Sequence, residues 1–231
     1  MQRLLLVTAV LALSACAATP APKGAIPLVE DEPEWRAVLS AADAKRLDEL
    51  PALWTEALGA VPPRYRKLVT KEGALLAPDA ARDHPAPSPG SYRCRLVKLG
   101  PATKKELPVR AFPENFCYIR AEKNNELSFS KQTGSELPGG WLHRDGDRRM
   151  VLTGARQRTP GDNSLAYGAD PQRDVAGVVE RIGPFRWRLV LPWKAAGTGL
   201  DVYELTPVPA DQQVNEPRAT EVAPAKPLRT P

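Results

Sequence analysis

The feature that most constrains the fold of this chain is a period-two alternation of apolar and polar residues between positions 90 and 205. In SYRCRLVKL (91–99), for example, Tyr92, Cys94 and Leu96 fall on one face while the arginines fall on the other. Successive side chains of a β-strand point to opposite faces, so this spacing indicates strands with one apolar face each. No long helical pattern interrupts the region, which predicts a mainly β domain.

Turn signals divide this region into about eight strands. Asp145-Gly146 is a strong hairpin signal, and Asn124-Asn125 and Gly183-Pro184 each separate another pair of alternating segments. Sequential hairpins give an antiparallel up-and-down meander, and a long meander usually closes because closure removes exposed strand edges. We therefore expect a barrel of the lipocalin-like or calycin-like kind, or a strongly curved sheet. The predicted strands cover residues 91–99, 115–121, 126–131, 140–144, 148–154, 175–182, 185–191 and 200–205.

A small helical part with a connector is predicted at residues 34–89, before the β domain of residues 90–206. Ser40 followed by Asp43 is a helix N-cap signal, and apolar residues then recur at helical spacing. Pro51 lacks a backbone N–H, so either one helix kinks there or a second helix begins with Pro51 in its first turn. The apolar helix residues are expected to cover the sheet, with the helices packed on the barrel or plugging one end.

The first residues resemble a bacterial lipoprotein signal peptide. Arg3 precedes an apolar run of about ten residues, whereas a membrane-spanning helix needs roughly 17 or more. LSAC (13–16) matches the lipobox, which implies removal of residues 1–15 and lipidation of Cys16. Ala17 after the cysteine favours the periplasmic face of the outer membrane. The alternative is an ordinary secretory peptide and a soluble periplasmic protein.

Proline-rich and alanine-rich segments flank the predicted domain. Residues 16–33 lack apolar periodicity and are predicted to form a flexible tether from the membrane. Residues 207–231 contain several prolines among polar residues and are predicted to form an extended, disordered tail.

Lipidation of Cys16 leaves two cysteines, Cys94 and Cys117, in an oxidising compartment. A single disulfide between them is expected, and it is geometrically reasonable because they fall on the first two strands of the meander. The alternative is two free buried thiols. A metal site is not expected, because two thiolates and two available histidines rarely complete a tetrahedral shell. No cofactor is predicted.

The charge of the chain is mildly basic, with a net value of +5. This excess suits a surface near anionic lipid or cell wall, and it lacks the concentrated basic footprint of a nucleic-acid binder. Arg93 and Arg95, and separately Arg186 and Arg188, lie opposite the apolar faces of their strands. We expect a solvated outer face whose long side chains shield the sheet. An anion-binding stripe is the alternative, since guanidinium groups suit phosphate or carboxylate.

The longest connection in the β region joins its fifth and sixth predicted strands and spans about twenty residues without periodicity. Loops beyond roughly 12–15 residues in a compact domain are usually functional or disordered. Tyr167, Asp170, Arg173 and Asp174 combine an aromatic ring with both signs of charge, which is typical of a loop that contacts a partner. The alternative is an ordered omega-type loop that covers one end of the barrel.

The chain resembles an uncharacterised alphaproteobacterial family, a domain of unknown function, over roughly residues 35–206. The resemblance is carried by GSYRCRLVKLG, FPENFCYIR, LSFSKQTGS, DVAGVVERIGPFRWRLVLP and LDVYEL. It implies a periplasmic or envelope setting and brings no activity with it. The strand rhythm, including GWLHRDGDRRMVL, is also similar to small barrels of the lipocalin-like and bacterial metalloprotease-inhibitor kind, a likeness of fold alone.

The sequence carries no motif for nucleophilic catalysis, zinc proteolysis, phosphate binding or dinucleotide binding. We therefore favour a non-enzymatic domain, anchored to the membrane by its lipid, with its binding site at the barrel rim near residues 154–175. The expected partner is an envelope protein, a cell-wall component or a small apolar ligand. An open barrel interior would indicate a carrier, and a packed interior would indicate an interaction scaffold.

Two other functions stay open at this level. The first is a hydrolase with an unrecognised site, which two converging carboxylates, or His143 beside a carboxylate in a pocket, would favour. A core filled by Tyr92, Phe129, Trp141 and Trp187 would count against that hydrolase. The second is an inhibitor of a periplasmic protease, which rests on the likeness to small inhibitor barrels.

Overall fold

The computed structural model describes residues 33–101, 105–160, 166–194 and 198–212. The predicted signal peptide and the lipid attachment at Cys16 lie outside the described residues. The tether up to position 32 and the tail beyond position 212 lie outside them as well.

Between positions 33 and 89, all of which are described, the chain forms four short α-helices and two 3₁₀ turns. The helices are α1 (Glu34–Val38), α2 (Ala41–Asp48), α3 (Leu50–Gly59) and α4 (Arg66–Glu72), and the 3₁₀ turns are Pro63–Tyr65 and Gly73–Leu76. Ser40 caps α2, because its hydroxyl accepts the backbone N–H of Asp43 at 3.2 Å. Pro51 lies in the first turn of α3, where its missing N–H breaks no helical hydrogen bond. A second helix therefore begins at this proline.

In the described residues, eight antiparallel strands follow the helices. The strands are β1 (Gly90–Leu99), β2 (Val109–Ala121), β3 (Leu127–Lys131), β4 (Pro138–Asp145), β5 (Arg149–Arg156), β6 (Asp174–Gly183), β7 (Arg186–Pro192) and β8 (Leu200–Pro207). Each strand pairs with the next, and β8 also pairs with β1, from Tyr92 opposite Pro207 to Leu99 opposite Leu200. The predicted mainly β fold with an up-and-down meander of eight strands is confirmed, and the sheet closes into a barrel.

Side chains fill the barrel interior. One buried apolar cluster takes residues from all eight strands, and only the inside of a closed barrel is within reach of every strand. Tyr92 and Trp187 meet edge to face within the cluster, with ring centroids 6.0 Å apart. In strand order, the cluster includes Leu96, Ile119, Phe129, Leu142, Leu152, Val179, Leu189 and Tyr203.

Two large aromatic residues of the β region lie outside the interior cluster. Trp141 is 39% exposed on the outside of β4, because its neighbour Leu142 points into the barrel. Phe185 is 78% exposed, because Gly183 pairs with Arg186 and Phe185 therefore lies in the turn between β6 and β7. The strand predicted over residues 185–191 thus begins one residue later, at Arg186.

A second apolar core lies between the helices and the outer surface of the barrel. Trp35 and Trp54 are buried there against strand residues that include Val97, Val178 and Val190. Each of these valines alternates with an interior residue along its strand, so it points outward. The helices therefore pack on the outside of the barrel. Strand members of this core come from β1, β2 and β5 to β8, and among the described residues β3 and β4 contribute none.

Arg188 on β7 fastens the helical part to the barrel. Its side chain is fully buried, and its Nε donates to a carboxylate oxygen of Glu180 at 2.6 Å. Its Nη atoms donate to the backbone carbonyls of Ala77 at 2.6 Å and Pro78 at 3.1 Å, and its guanidinium lies 4.9 Å from the ring of Trp54. The expectation of a solvated arginine is wrong here, because the chain segment after α4 covers this part of β7.

Arg95 on β1 makes a second attachment between helix and barrel. It donates to Glu72 of α4 at 2.6 Å and to Glu204 of β8 at 2.7 Å. Arg186 also donates to Glu204, at 2.6 Å. The arginines of this side are therefore occupied by carboxylates of the same chain, and this pairing argues against a free anion-binding stripe. Arg93 is the more exposed member of the set, at 44%.

Cys94 on β1 and Cys117 on β2 form the expected disulfide, with a Cα–Cα distance of 5.8 Å. The bridge runs diagonally across the two strands, because Tyr92 stands directly opposite Cys117. Both cysteines are buried in the interior cluster.

The residues just after β8 remain attached to the barrel. Val208 is buried, and its N–H donates to the carbonyl of Ser91 at 2.9 Å. Arg93 then donates to the side chain of Gln212 at 3.2 Å. The tail predicted from Pro207 onwards thus belongs to the folded domain up to Gln212. Within the described part of the chain, no helix has the length and apolar character of a membrane span.

Candidate functional site

The loop with the four predicted recognition residues, described from position 166 onwards, folds over the N-terminus of α2. The Tyr167 hydroxyl accepts the backbone N–H of Ser40 at 3.2 Å and lies 3.1 Å from the Ser40 hydroxyl. The same group donates to the carboxylate of Asp43. In a capping box, the side chain at the third helical position accepts the N–H of the capping residue. Here Tyr167 takes that hydrogen bond, so the loop itself caps the helix.

Asp43 is a buried carboxylate at the centre of this contact. Besides the bond from Tyr167, it forms an ion pair with Arg46, and the Nζ of Lys194 lies 3.4 Å away. Burial pushes the pKa of Asp43 up, but the Tyr167 hydrogen bond and the charges of Lys194 and Arg46 outweigh burial. Together they hold the pKa of Asp43 below its ordinary value. Burial and the bond to Asp43 raise the pKa of Tyr167.

The other three predicted residues bond within the same loop and the adjoining strands. Asp170 accepts a backbone N–H two residues further along, at 3.2 Å. Asp174 is buried and accepts the N–H of Gly168 at 2.8 Å. Arg173 donates to the carbonyl of Arg156 at 2.8 Å. This arrangement corresponds to the ordered omega-type alternative, and recognition by the loop stays a prediction.

Two shallow clefts meet beside this loop. One has a volume of about 380 Å³ and lies between Tyr167 and α2, and the other, of about 300 Å³, lies between α2 and Trp193. Arg46 lines both clefts and is paired with Asp43, while Lys45 is paired on its own helix. Because these cations already have carboxylate partners, the clefts suit a small neutral ligand better than an anion.

The end of the barrel beneath the loop is closed by polar side chains. The Nζ of Lys98 lies 3.6 Å from Asp201 and 3.9 Å from Glu136, and the indole of Trp193 donates to Asp201 at 2.6 Å. Burial raises the pKa of Asp201 in spite of the Lys98 charge. Lys131 is also buried and donates to two backbone carbonyls of the β3–β4 loop, at 2.7 and 2.5 Å. This layer closes the barrel end with hydrogen-bonded groups.

The outer side of β2, β3 and β4 carries exposed aromatic side chains. Phe116 is 50% exposed and Trp141 is 39% exposed. Tyr118 stands directly opposite Ser130, and Ser128 stands directly opposite Trp141. We name this surface the aromatic face, defined by Phe116, Tyr118, Ser128, Ser130 and Trp141.

The aromatic side chains of this face do not stand directly opposite one another. The residue across Ser128 from Trp141 is Arg120 of β2, whose guanidinium lies 5.6 Å from the centre of the Tyr118 ring. The face can therefore bind a ligand by apolar contact with its aromatic side chains.

Both serine hydroxyls of the face have partners. Ser128 donates to Glu122 at 2.7 Å, and Ser130 accepts from Gln132 at 2.5 Å.

Sequence reasoning missed this face, although part of the signal was present. The alternation that places Cys117 and Ile119 inside the barrel also places Phe116 and Tyr118 outside. What the alternation does not show is which outward faces the helices cover.

Neither histidine of the chain lines the two clefts beside the rim loop. His143 is on the outside of β4, where its Nε2 lies 2.8 Å from the Thr153 hydroxyl, and burial lowers its pKa. His84 lies in the connector, with its N–H bonded to the carbonyl of Asp147 at 3.0 Å. The hydrogen-bond partner of His143 is thus a hydroxyl, whereas one of the two forms of the hydrolase alternative requires a carboxylate beside it in a pocket. Among the described residues, no group of three or more His, Cys, Asp or Glu side chains has the arrangement of a metal site.

These features define a closed eight-stranded barrel with a filled interior, helices packed on its outer surface and exposed aromatic side chains on β2 and β4. Residues 35–205 match the family described as "Domain of unknown function (DUF4893)", and the chain belongs to this family. The predicted membership of an uncharacterised family, over nearly the same residues, is confirmed. Comparison with curated proteins and with solved structures found no match.

Proposed function

We propose that this chain is a lipid-anchored, non-enzymatic interaction domain of the bacterial envelope, and that its aromatic face is the binding surface. One observation carries the proposal. The inside of the barrel is filled from all eight strands, while Phe116 and Trp141 stand exposed on its outer side. Large exposed aromatic residues are typical of surfaces that bind another molecule.

The filled interior argues against a carrier. Protein interiors pack as densely as organic crystals, so a ligand inside this barrel would have to displace side chains from several strands. Tyr92, Phe129 and Trp187, three of the four aromatic residues whose packing in the core would count against a hydrolase, lie in the interior cluster. A scaffold that presents its outer surface is the function that this packing supports.

The envelope setting is supported by two independent features of the sequence. The first is the lipobox that ends at Cys16. The second is the pair Cys94 and Cys117, whose sulfur atoms are bonded to each other, since structural disulfides form and persist in oxidising compartments. An anchored domain would present its binding face close to the membrane surface.

The test is photo-crosslinking in living cells with the full chain. Benzoylphenylalanine placed at Phe116 or at Trp141 is expected to give a discrete adduct in the membrane fraction, because a bound partner would lie against these side chains. Cys16→Ser should move both the chain and the adduct into the soluble periplasmic fraction. Phe185, at 78% exposure in a turn away from the face, is the matched control position and should give no discrete adduct.

Two outcomes would contradict the proposal. Adducts of equal yield at Phe185 would show that exposure alone accounts for the crosslinks. Adducts from position 167, with none from positions 116 and 141, would transfer the binding site to the rim loop. In that case Arg173→Ala, introduced into the chain with benzoylphenylalanine at position 167, should lower the yield of the rim adducts.

A further inference from the structure

A groove runs along α2 at one end of the barrel. The two shallow clefts beside the rim loop share Ala42 and Arg46 of α2, so they meet along one side of this helix. Across from α2, their walls come from the β5–β6 loop and from the residues that follow β7. The eight residues of α2, at about 1.5 Å per residue, give the groove a length of about 12 Å. We name it the α2 groove, defined by Asp43, Arg46, Tyr167, Asp174, Trp193 and Lys194.

Trp193, which lines one of the two clefts, is partly exposed and firmly held. Its indole N–H donates to Asp201 at 2.6 Å, and its backbone N–H donates to the carbonyl of Gly199 at 3.0 Å. A Cβ atom added at Gly199 would lie 2.3 to 2.5 Å from three consecutive atoms of the indole ring, so this glycine lies under the face of the ring. The orientation of the ring is therefore fixed before a ligand binds, which lowers the entropy cost of binding.

The charges that line the α2 groove balance one another. Its charged side chains are Asp43, Lys45, Arg46, Glu49, Asp174 and Lys194. Three of them are acidic and three are basic, so the groove carries no net charge. An anion would meet the carboxylates, and a cation would meet the ammonium and guanidinium groups. An uncharged ligand therefore fits the groove better than either ion does.

Two charged groups of the groove can form further hydrogen bonds. Asp174 is 4% exposed, and among the described residues its carboxylate accepts one hydrogen bond, from the N–H of Gly168 to Oδ1 at 2.8 Å. Its Oδ2 is thus available as an acceptor. The ammonium group of Lys194 lies 3.4 Å from Asp43 and donates to the carbonyl of Pro171 at 3.3 Å. An ammonium group has three N–H donors, so one donor of Lys194 is available as well.

This acceptor and this donor argue against an apolar ligand. Such a ligand would displace water from Asp174 and Lys194 without replacing the lost hydrogen bonds, which is unfavourable. A hydroxyl group both donates and accepts, so a ligand with several hydroxyl groups can satisfy both side chains. The rings of Tyr167 and Trp193, one in each cleft, offer apolar surface to the C–H groups of such a ligand. A sugar combines hydroxyl groups with a C–H face in one molecule.

We propose that the α2 groove binds a neutral oligosaccharide, with sugar rings against Tyr167 and Trp193 and hydroxyl groups bonded to Asp174 and Lys194. The volumes of the two clefts, about 380 and 300 Å³, fall within the range of small-molecule sites, about 300–1,000 Å³. This inference goes beyond the proposed function, because the residues of the aromatic face lie on β2, β3 and β4 and line neither cleft. The domain would then have two separate binding surfaces.

The test is a titration of the full chain, labelled with 5-fluorotryptophan and observed by ¹⁹F NMR. The probes are tetra-N-acetylchitotetraose, which carries acetamido groups, and maltotetraose, which carries hydroxyl groups alone. At least one of these neutral sugars should move the Trp193 signal in a saturable way. The signals of the buried Trp35 and Trp187 should stay in place. Trp193→Phe identifies the Trp193 signal by its absence.

Charged probes supply the second measurement. Tetragalacturonate, an anion, and protonated, fully deacetylated chitotetraose, a cation, should each bind at least about tenfold more weakly than the neutral sugar. Lys194→Met removes one donor and one positive charge, so it should weaken binding of the neutral sugar about fivefold and strengthen binding of the cation. Lys71→Met, at an exposed position on α4, is the matched control and should change neither affinity. Unchanged Trp35 and Trp187 signals will show that the variants keep the fold.

Three outcomes would overturn the inference. The first is a Trp193 signal that moves with neither neutral sugar. The second is tighter binding of a charged probe than of the neutral sugars, because the balance of charge would then not select the ligand. The third is a shift confined to Trp141, which would place the sugar on the aromatic face.

The two neutral probes also separate two classes of glycan. A response to tetra-N-acetylchitotetraose alone would support the inference and narrow the ligand to glycans with acetamido groups. A response to maltotetraose alone would support it and narrow the ligand to glycans with hydroxyl groups only. The crosslinking experiment at positions 116 and 141 concerns a different surface, so either result can fail without the other.

Discussion

At the scale of single residues, Arg188 shows how one buried side chain joins two parts of a molecule. The 3₁₀ turn Gly73–Leu76 ends against β7, and the last carbonyls of a helical segment lack partners within it. The planar guanidinium of Arg188 has five N–H donors, enough to serve Glu180 and the carbonyls of Ala77 and Pro78 together. The same side chain therefore neutralises a carboxylate and holds the helical part on the barrel.

Arg188→Lys is expected to destabilise the domain by about 3 kcal/mol, although it keeps the positive charge. An ammonium group cannot span the carboxylate and the carbonyls, so buried acceptors lose their donors. Urea unfolding, followed by tryptophan fluorescence, measures the change. Arg93→Lys, at a largely exposed position on the same sheet, should stay within about 0.5 kcal/mol of wild type. Equal effects of the two substitutions would contradict the role assigned to Arg188.

At the scale of elements, α2 and the rim loop stabilise each other. A helix of eight residues is too short to be stable alone in water. Tyr167 of the loop accepts the backbone N–H of Ser40 at the start of α2. Asp43 of α2 accepts a hydrogen bond from Tyr167 and forms an ion pair with Lys194. The loop thus has a structural role on α2, whatever else binds to its outer surface.

Because the Asp43 carboxylate takes part in this contact, the stability of the fold should depend on pH. The pKa of Asp43 is lower in the folded chain than its ordinary value of 3.8. The ionised Asp43 carboxylate therefore contributes its full stabilisation of the folded state above about pH 4, and this stabilisation is lost as the pH falls through the folded-state pKa. Asp43→Asn should remove this contribution at neutral pH, by about 2 kcal/mol, and should flatten the acid side of the stability curve. Thermal unfolding between pH 2 and 7 checks the expectation, with the exposed Asp83→Asn as control. If the Asp43→Asn chain lost stability in acid in parallel with the wild-type chain, other groups would account for the pH dependence.

The strands and helices also show which structural features the local sequence pattern can predict. The period-two alternation predicted the strands and the inward direction of Tyr92 and Leu96, and cysteine count with strand order predicted the disulfide. The alternation could not distinguish Arg188 from Arg93, because an outward arginine has the same spacing whether a helix covers it or water does. For the same reason the exposed aromatic residues of β2 and β4 were not identified as a site. Helix placement on the barrel is set by long-range packing, which local periodicity does not encode.

At the scale of the whole molecule, closure of the barrel joins the first strand to the last. β1 pairs along its length with β8, so strands separated by about a hundred residues in sequence must meet before the interior is sealed. Cys94 and Cys117 lie inside the sealed barrel, with 0% and 2% exposure. Their bridge joins β1 to β2 over a sequence separation of 23 residues. In the chain-entropy account, a loop of this size stabilises the fold by about 3 kcal/mol.

Because the bridge is enclosed, its reduction should report the opening of the barrel. A thiol reagent must reach one of the two sulfur atoms, and in the native state both lie behind packed side chains. We expect dithiothreitol to reduce the native protein slowly, at a rate that rises steeply with urea as unfolding does. Mass spectrometry of alkylated samples measures this rate. The Cys94→Ala/Cys117→Ala chain, which should melt at a lower temperature with or without reductant, is the control. Fast reduction without urea, independent of the denaturant, would instead show that the β1–β2 hairpin opens locally while the rest of the barrel stays closed.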